Sequence, residues 1–179
     1  GKGLALEPYL ASVVLGGGAL RLAGSAEQKR RLIPAVVDGS LRLALAQTEK
    51  QARYDLNDIA MTARKVEGGY VLDGAKSVVL SGDSAGLLVV SARTAGGRRD
   101  AQGISLFLVP ADAPGLRITG YPTQDGGRAA EIAFTEVRVT DADLLGEEGK
   151  GLPVLQRLSE YAIAALAAEA VGAMAALQA

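Results

Sequence analysis

The spacing of hydrophobic residues divides the chain into a helical, an alternating and a second helical part. Residues 4–22 are apolar with a helical rhythm that three glycines interrupt, and the segment GSAEQKRRLIP follows. In that segment Ser25 can cap the first-turn amides, and Gln28, three residues later, completes a capping box. Pro34 removes a backbone hydrogen bond, so we expect a break or kink in this helix.

From residue 41 the period becomes alternating, which is typical of β-strands. Two strand-like runs within residues 59–82 surround Gly68 and Gly69, which is a hairpin signal. Further strand candidates follow at regular spacing, at residues 86–93, 104–110, 115–120 and 130–139. This spacing predicts an α+β protein whose middle part is an antiparallel β-barrel or sandwich flanked by helices.

After residue 144 the helical rhythm returns and continues to the end of the chain. The stretch 162–179 is mostly alanine and carries Glu169, which suits a helix packed in a bundle better than a membrane span. Neither end of the sequence resembles a natural domain end, so we expect a central piece of a larger protein. The apolar residues near one face of this last helix are Leu152, Leu155, Leu158, Ala162, Ala165 and Leu166.

Composition excludes several classes of function. The 19 Lys and Arg residues balance 20 Asp and Glu residues, and the net charge of −1 argues against general nucleic-acid binding. The sequence contains no cysteine and no histidine, which removes disulfides, thiolate metal sites and the commonest general base, so we predict no metal site. No basic-then-apolar signal pattern is present, and we expect a soluble, cytoplasmic protein.

The strand-like stretch LALA runs into Gln47, Thr48 and Glu49, where the hydrophobic pattern stops. On polarity alone, these residues mark a strand that leaves the core for a loop, with Thr48 capping backbone amides.

Three other segments favour a more specific interpretation. GSAEQKRRLIP, GYVLDGAKSVVLSG and FTEVRVTDADLLGEEGKGL occur in the order, and at about the intervals, seen in acyl-CoA dehydrogenases. The sequence therefore resembles this family of flavoprotein oxidoreductases over nearly its whole length. The segments AQTEKQARYDLND and GYPTQDGGRAAE resemble most closely the small subunit of pimeloyl-CoA dehydrogenases.

The resemblance implies a domain organisation. Residues 1–40 would end an N-terminal helical domain, residues 41–140 would form the middle β-barrel domain, and residues 141–179 would be a linker and the first helix of a C-terminal helical domain. It also implies an acyl-CoA substrate, electron-transfer flavoprotein as the electron acceptor, and homo- or hetero-oligomers of related subunits, as in fatty acid metabolism.

The same resemblance assigns the cofactor. In this family a base removes a proton from Cα of an acyl thioester while Cβ gives a hydride to N5 of FAD. Backbone amides at a strand end, with a hydroxyl beside them, suit the flavin edge where negative charge grows. The implied FAD contacts are Leu45, Ala46, Gln47, Thr48, Tyr54, Val78, Val79, Leu80 and Ser81.

Several residues depart from the family pattern. Tyr54 replaces a small serine near the pyrophosphate and thioester, which narrows or reshapes the acyl-CoA route. Arg53 replaces a glycine and is either a partner for a phosphate or carboxylate or a solvated loop charge. Leu80 replaces the hydroxyl expected at flavin N5, and Ser81 could substitute after a small shift. Alternatively, residues 78–80 are only core strand.

The catalytic base cannot be assigned from this sequence. A few branches of the family carry the carboxylate where this chain has Ala162, next to an arginine where it has Ile163, so we expect the base outside this chain. Glu160 keeps an acidic residue that in relatives lies near the CoA end of the site. We treat it, with Arg53 and Tyr54, as a candidate substrate contact, or else as a polar-face residue of its helix.

Two alternatives to a dehydrogenase stay open at this point. One is a flavin oxidase or two-component monooxygenase of the same fold, and the other is a non-catalytic partner subunit. We expect the isolated chain to be inactive and to bind FAD weakly. We also expect its last helix to drive formation of a symmetric oligomer through exposed apolar residues.

Overall fold

The structure is a computed structural model that describes Gly3 and residues 7–178, so the predicted helical residues 4–6 lie outside the described part. A π-helix at Tyr9–Gly17 continues directly into helix α1 at Gly18–Ala23. The glycines that interrupt the apolar pattern therefore coincide with a change of helix geometry and do not end the helix. A Cβ on Gly16 would lie 2.3 Å from the Cβ of Leu43, so the glycine lets this helix pack closely on the first strand.

Helix α2, Ala26–Val37, begins with the predicted capping box. The Gln28 amide donates to Ser25 Oγ at 3.1 Å, and the Ser25 amide donates to Gln28 Oε1 at 2.9 Å. The helix passes through Pro34 to Val37, so the predicted break is wrong. Pro34 forfeits one helical hydrogen bond, but its carbonyl still accepts the Asp38 amide at 3.0 Å and the last turn stays closed.

Eight strands form one sheet in the order β6-β7-β3-β2-β4-β5-β8, with β1 paired to β4. The predicted α+β class is confirmed, and the sheet is mostly antiparallel. The exceptions are the pairings of β4 with β1 and with β2, both of which are parallel. The long loop at 47–61 separates β1 from β2 and lets both strands run in the same direction as β4. The strands are Leu43–Ala46 (β1), Thr62–Val66 (β2), Gly69–Leu80 (β3), Leu87–Arg93 (β4), Ile104–Pro110 (β5), Leu116–Pro122 (β6), Arg128–Thr140 (β7) and Leu144–Leu145 (β8).

The core includes both faces of β4 and β5, because nearly every residue of these two strands is buried. Tyr70 and Phe107 meet there edge to face, with ring centroids 4.9 Å apart. Leu20 from α1 and two leucines of the last helix, Leu155 and Leu158, belong to the same cluster of buried side chains. Helices on both sides of the β segment in sequence therefore share one core with it.

The last helix, α3, spans Gly151–Leu177 and follows a 3₁₀ turn at Asp141–Asp143. One face of its first turns is buried through Gly151, Leu155 and Leu158, whereas Leu166, Val171 and Met174 further along are exposed. By length and composition α3 is long and apolar enough to cross a membrane, with a mean hydropathy of 1.4 over its most apolar window. A single helix of this kind supports a membrane span only weakly.

Candidate functional site

A buried ion pair stands where β1 leaves the sheet. Lys76 on β3 places its Nζ 2.7 Å from Glu49 Oε1, and the two side chains are 0% and 4% exposed. The Lys76 ammonium also donates to Ser91 Oγ at 3.0 Å and to the Gln47 carbonyl at 3.2 Å. All three donors of the ammonium are thus used, which a buried charge requires.

Glu49 holds the loop that follows β1. Its carboxylate accepts the Ala60 amide at 2.8 Å and the Met61 amide at 3.2 Å, so it ties the start of the loop to its end. The Gln51 side-chain amide donates to the same carboxylate at 2.7 Å. Glu49 therefore shapes the loop from inside the protein, which explains the carboxylate in the polar run at residues 47–49.

Burial and charge pairing act in opposite directions on this pair. Burial alone raises the pKa of Glu49, but the Lys76 charge and the hydrogen bonds from Lys76, Gln51 and Ala60 outweigh it, and the pKa lies below its ordinary value. Burial lowers the pKa of Lys76 to about 8, although the Glu49 carboxylate opposes that shift. Both groups are charged at neutral pH.

The ends of β1 and β3 are also joined through their backbones. The Ser77 amide donates to the Thr48 carbonyl at 2.8 Å. Val78, the next residue, has a φ of 52°, in the left-handed region that is rare for β-branched residues. The two segments predicted to contact the flavin are therefore adjacent.

A groove of about 670 Å³ opens between these two segments. It collects four of the predicted site residues, although they come from separate stretches of sequence. Tyr54 stands at its rim with 98% of its surface exposed, and Arg53 beside it has a φ of 51°. The lining residues are Thr48, Glu49, Lys50, Arg53, Tyr54, Ser77, Val78 and Glu131.

Leu80 and Ser81 line a separate cavity of about 270 Å³ at the end of β3. Leu10 of the π-helix and Leu166 of α3 face the same space, so this cavity lies between the sheet and the helices. The Ser81 amide is used internally, because it donates to the Arg128 carbonyl at 2.8 Å.

The predicted FAD contacts differ in whether they can present a side chain or only backbone atoms to a ligand. Val78 and Leu80 are 52% and 39% exposed, so the alternative that they are core strand is wrong for both. That alternative holds for Val79, whose side chain is buried in the core, as is that of Ala46. These two residues can present only backbone atoms, whereas Leu45 is half-buried.

Thr48 is suited to an acceptor-rich ring edge. Across residues 7–178, its amide N–H donates no hydrogen bond to the protein. Its hydroxyl makes only a long contact, at 3.5 Å, with Gln47 Oε1. Two donors thus remain for a ligand at a half-buried strand end, and the residues present fit an isoalloxazine edge.

Comparison with known proteins agrees with a flavin site in this groove. The sequence model described as "Acyl-CoA dehydrogenase, middle domain" matches residues 44–142. The chain belongs to the acyl-CoA dehydrogenase family. It is 34% identical over 152 residues to cyclohexane-1-carbonyl-CoA dehydrogenase of Geobacter metallireducens, which covers 83% of this chain and 40% of that protein.

Two solved structures are similar to the chain. The prolyl acyl carrier protein oxidase AnaB superposes with a TM-score of 0.89 at 29% identity, over 94% of this chain and 45% of that one. The FAD complex of PigA gives a TM-score of 0.78 at 27% identity, over 83% of this chain and 39% of that one. This chain therefore spans less than half the length of these relatives. The family to which it belongs is a family of FAD-binding oxidoreductases.

The predicted substrate contact Glu160 also lies outside the groove. Glu160 on α3 pairs with Arg157, whose Nη1 is 2.7 Å from Glu160 Oε2, and both side chains are exposed. It does not line the groove that contains Arg53 and Tyr54. Within this chain Glu160 is a helix-surface residue.

Two features of the site were missed from the sequence. Lys76 was noted only as part of a motif, and its pairing with Glu49 needs the fold to bring β3 next to the loop that follows β1. Glu131, which lines the groove, was not considered. A signal was present, because Glu131 interrupts an apolar run between buried Ala130 and Ile132.

We expect Lys76→Met to lower the free energy of unfolding by about 3–5 kcal/mol, because it leaves Glu49 buried without its counter-charge. The double variant Lys76→Met, Glu49→Gln should recover most of that loss, since neither charge remains. Urea unfolding of the three proteins measures this.

The matched control is Arg157→Met, which breaks an exposed ion pair with Glu160. Its cost should stay within about 1 kcal/mol. Equal losses for the buried and the exposed pair, or a double variant as unstable as Lys76→Met, would contradict the assignment of the buried pair as the anchor of this site.

Proposed function

We propose that this chain is the central part of an FAD-dependent acyl-CoA dehydrogenase that oxidises the Cα–Cβ bond of an acyl thioester. The observation that carries the proposal is the groove in which Thr48 and Val78, from the ends of β1 and β3, lie side by side on a buried ion pair. When bound, FAD would accept the hydride from Cβ. Electron-transfer flavoprotein is the proposed acceptor of the electrons.

In this reaction the chain's own residues are proposed to hold and orient the cofactor. The Thr48 amide and hydroxyl are proposed to donate to the flavin edge. The Lys76–Glu49 pair keeps that strand end in place without presenting a charge to the ligand, because both side chains are buried. Leu80 and Leu10 contribute apolar surface to the neighbouring cavity, which charged residues such as Arg128 and Glu169 also line.

Proton abstraction requires a base that we propose lies outside these residues. Ala162 has no acidic group, and Glu160 points away to Arg157. The proposed activity therefore belongs to a longer protein, in which this chain supplies part of the cofactor and substrate sites.

For the acyl group we propose a dicarboxylyl, pimeloyl-type CoA, on the likeness of AQTEKQARYDLND to that branch of the family. Of the two cations that line the groove, Lys50 lies 3.8 Å from Glu131, so Arg53 is the proposed partner of an anionic ligand. A free terminal carboxylate or a phosphate could pair with Arg53. The protein is proposed to work in the cytoplasm.

An oxidase is the second candidate, and Leu80 is the observation that favours it. An apolar side chain replaces the hydroxyl that the resemblance places at flavin N5, and the similar structure AnaB is named as an oxidase.

A non-catalytic partner subunit is the third candidate. It is favoured because Ala162 has no acidic group that could act as the base.

The full-length protein should purify with FAD, and anaerobic addition of pimeloyl-CoA should bleach the flavin absorption. Butyryl-CoA is the matched substrate without the second carboxylate, and we expect it to react at least about tenfold more slowly. Equal rates would contradict the dicarboxylyl assignment. Rapid reoxidation by air would favour an oxidase, and bound FAD that no acyl-CoA bleaches would favour a partner subunit.

Leu80→Thr should restore a hydroxyl donor and raise the rate of flavin reduction by roughly tenfold, the effect of one hydrogen bond to a developing charge. Leu80→Val has the shape of threonine without the hydroxyl and is the control. Stopped-flow reduction compares them. A gain shared by both variants would show that side-chain size, and not hydrogen bonding, limits the reaction.

We propose that the protein is a homo- or hetero-oligomer in which a helix covers the apolar residues of α3. Leu166, Val171 and Met174 are exposed along this helix, and soluble proteins rarely expose such a surface. Light scattering at micromolar concentration should report a mass above that of one chain, and Leu166→Glu with Met174→Glu should reduce it. A monomer with α3 folded would contradict the proposal.

A further inference from the structure

The pairing of β3 with β7 is irregular at the groove. Lys76 lies opposite Ile132, and the next pair is Val79 with Ala130. Two residues of β3, Ser77 and Val78, therefore face one residue of β7, which is Glu131. This is a β-bulge, a feature that redirects a strand and is enriched beside functional sites.

The bulge holds Val78 in an unfavourable conformation. Its φ of 52° lies in the left-handed region, where a β-branched side chain crowds its own backbone. The side chain is half exposed, so core packing does not explain why this conformation persists. Something else must stabilise it.

Glu131 is the group that contacts the bulge most directly. Its Oε2 accepts the Ser77 hydroxyl at 2.6 Å, and its Oε1 accepts the Val78 amide at 3.3 Å. Both bonds end on a charged acceptor, which makes them stronger than neutral ones. One carboxylate thus holds both bulge residues.

Two further groups fix the carboxylate itself. The Tyr121 hydroxyl on β6 donates to Oε1 at 3.3 Å, and the Lys50 ammonium lies 3.8 Å from Oε2. Glu131 is therefore supported from the neighbouring strand on one side and from the loop after β1 on the other.

The bulge also links the two segments that meet the ligand. The Ser77 amide donates to the Thr48 carbonyl, and Val78 begins the segment that ends with Leu80 and Ser81. A shift of the bulge would move one of these segments relative to the other.

We propose that Glu131 is a positioning residue, which holds the Ser77–Val78 bulge and thereby sets the distance between the Thr48 and Leu80 segments that receive the flavin. The part that concerns the flavin rests on the proposed function. The part that concerns the bulge does not.

The test uses full-length protein with Glu131→Ala, Val78→Gly and the two combined. Glycine adopts a positive φ without strain, so it removes the need for the carboxylate. We expect Glu131→Ala to weaken FAD binding by about tenfold or more, and the added Val78→Gly to restore it to within about threefold of wild type. Glu131→Gln keeps one acceptor oxygen and should lie between wild type and Glu131→Ala.

Glu136→Ala is the control for loss of an acidic residue from the same strand, because that side chain is exposed and makes no contact with the bulge. Its FAD affinity should equal that of wild type. Unchanged affinity in Glu131→Ala, or no rescue by Val78→Gly, would overturn the positioning role.

A second measurement separates this proposal from the proposed function. Hydrogen exchange at the Val78 amide should accelerate by about tenfold or more in Glu131→Ala and not in Glu136→Ala, with or without cofactor. If wild type binds no FAD, the proposed function fails, and exchange alone judges the bulge. Equal exchange in wild type and Glu131→Ala would then refute the role of Glu131.

Discussion

The buried pair of Lys76 and Glu49 is the interaction on which the site depends. Burying two charges is costly, and the pair is tolerable because Ser91, the Gln47 carbonyl and two loop amides use the remaining hydrogen-bonding positions. The result is a loop fixed from inside the protein. Its outer surface can then carry unusual residues such as Tyr54 without losing its shape.

This arrangement separates stability from recognition. Glu49 and Lys76 have their charges turned inward, whereas Arg53, Tyr54 and Lys50 point into the groove or to solvent. Residues of the second kind can change with the substrate at little cost in stability, since surface substitutions usually cost little. The departures of this chain from the family pattern at Arg53 and Tyr54 belong to this second kind.

The sequence predicted the elements well where local rules decide. The capping box at Ser25 and Gln28 and the hairpin at Gly68 depend on neighbouring residues, and both are present. The parallel pairing of β1 was not predicted, because strand direction depends on where a long loop returns the chain. A break or kink was expected at Pro34, and the helix in fact continues through it to Val37.

The site was predicted only in part, because its geometry also depends on contacts between residues that are distant in the sequence. A resemblance to a family located Thr48 and Val78, which the fold brings into one groove. It did not indicate Glu131, because the role of that carboxylate appears only when two strands pair out of register by one residue. Glu160, in contrast, was predicted as a substrate contact, but its position on the helix directs it to Arg157 instead of the groove.

The contact between Gly16 and Leu43 has a mechanical consequence. The π-helix packs through Gly16 directly on the Leu43 side chain, at the first residue of β1, and the other end of that strand leads to Thr48. The Lys76–Glu49 pair fixes the chain just beyond the other end of the strand. The position of the Thr48 donors is therefore set from both sides, by the packing of an N-terminal helix and by a buried charge pair.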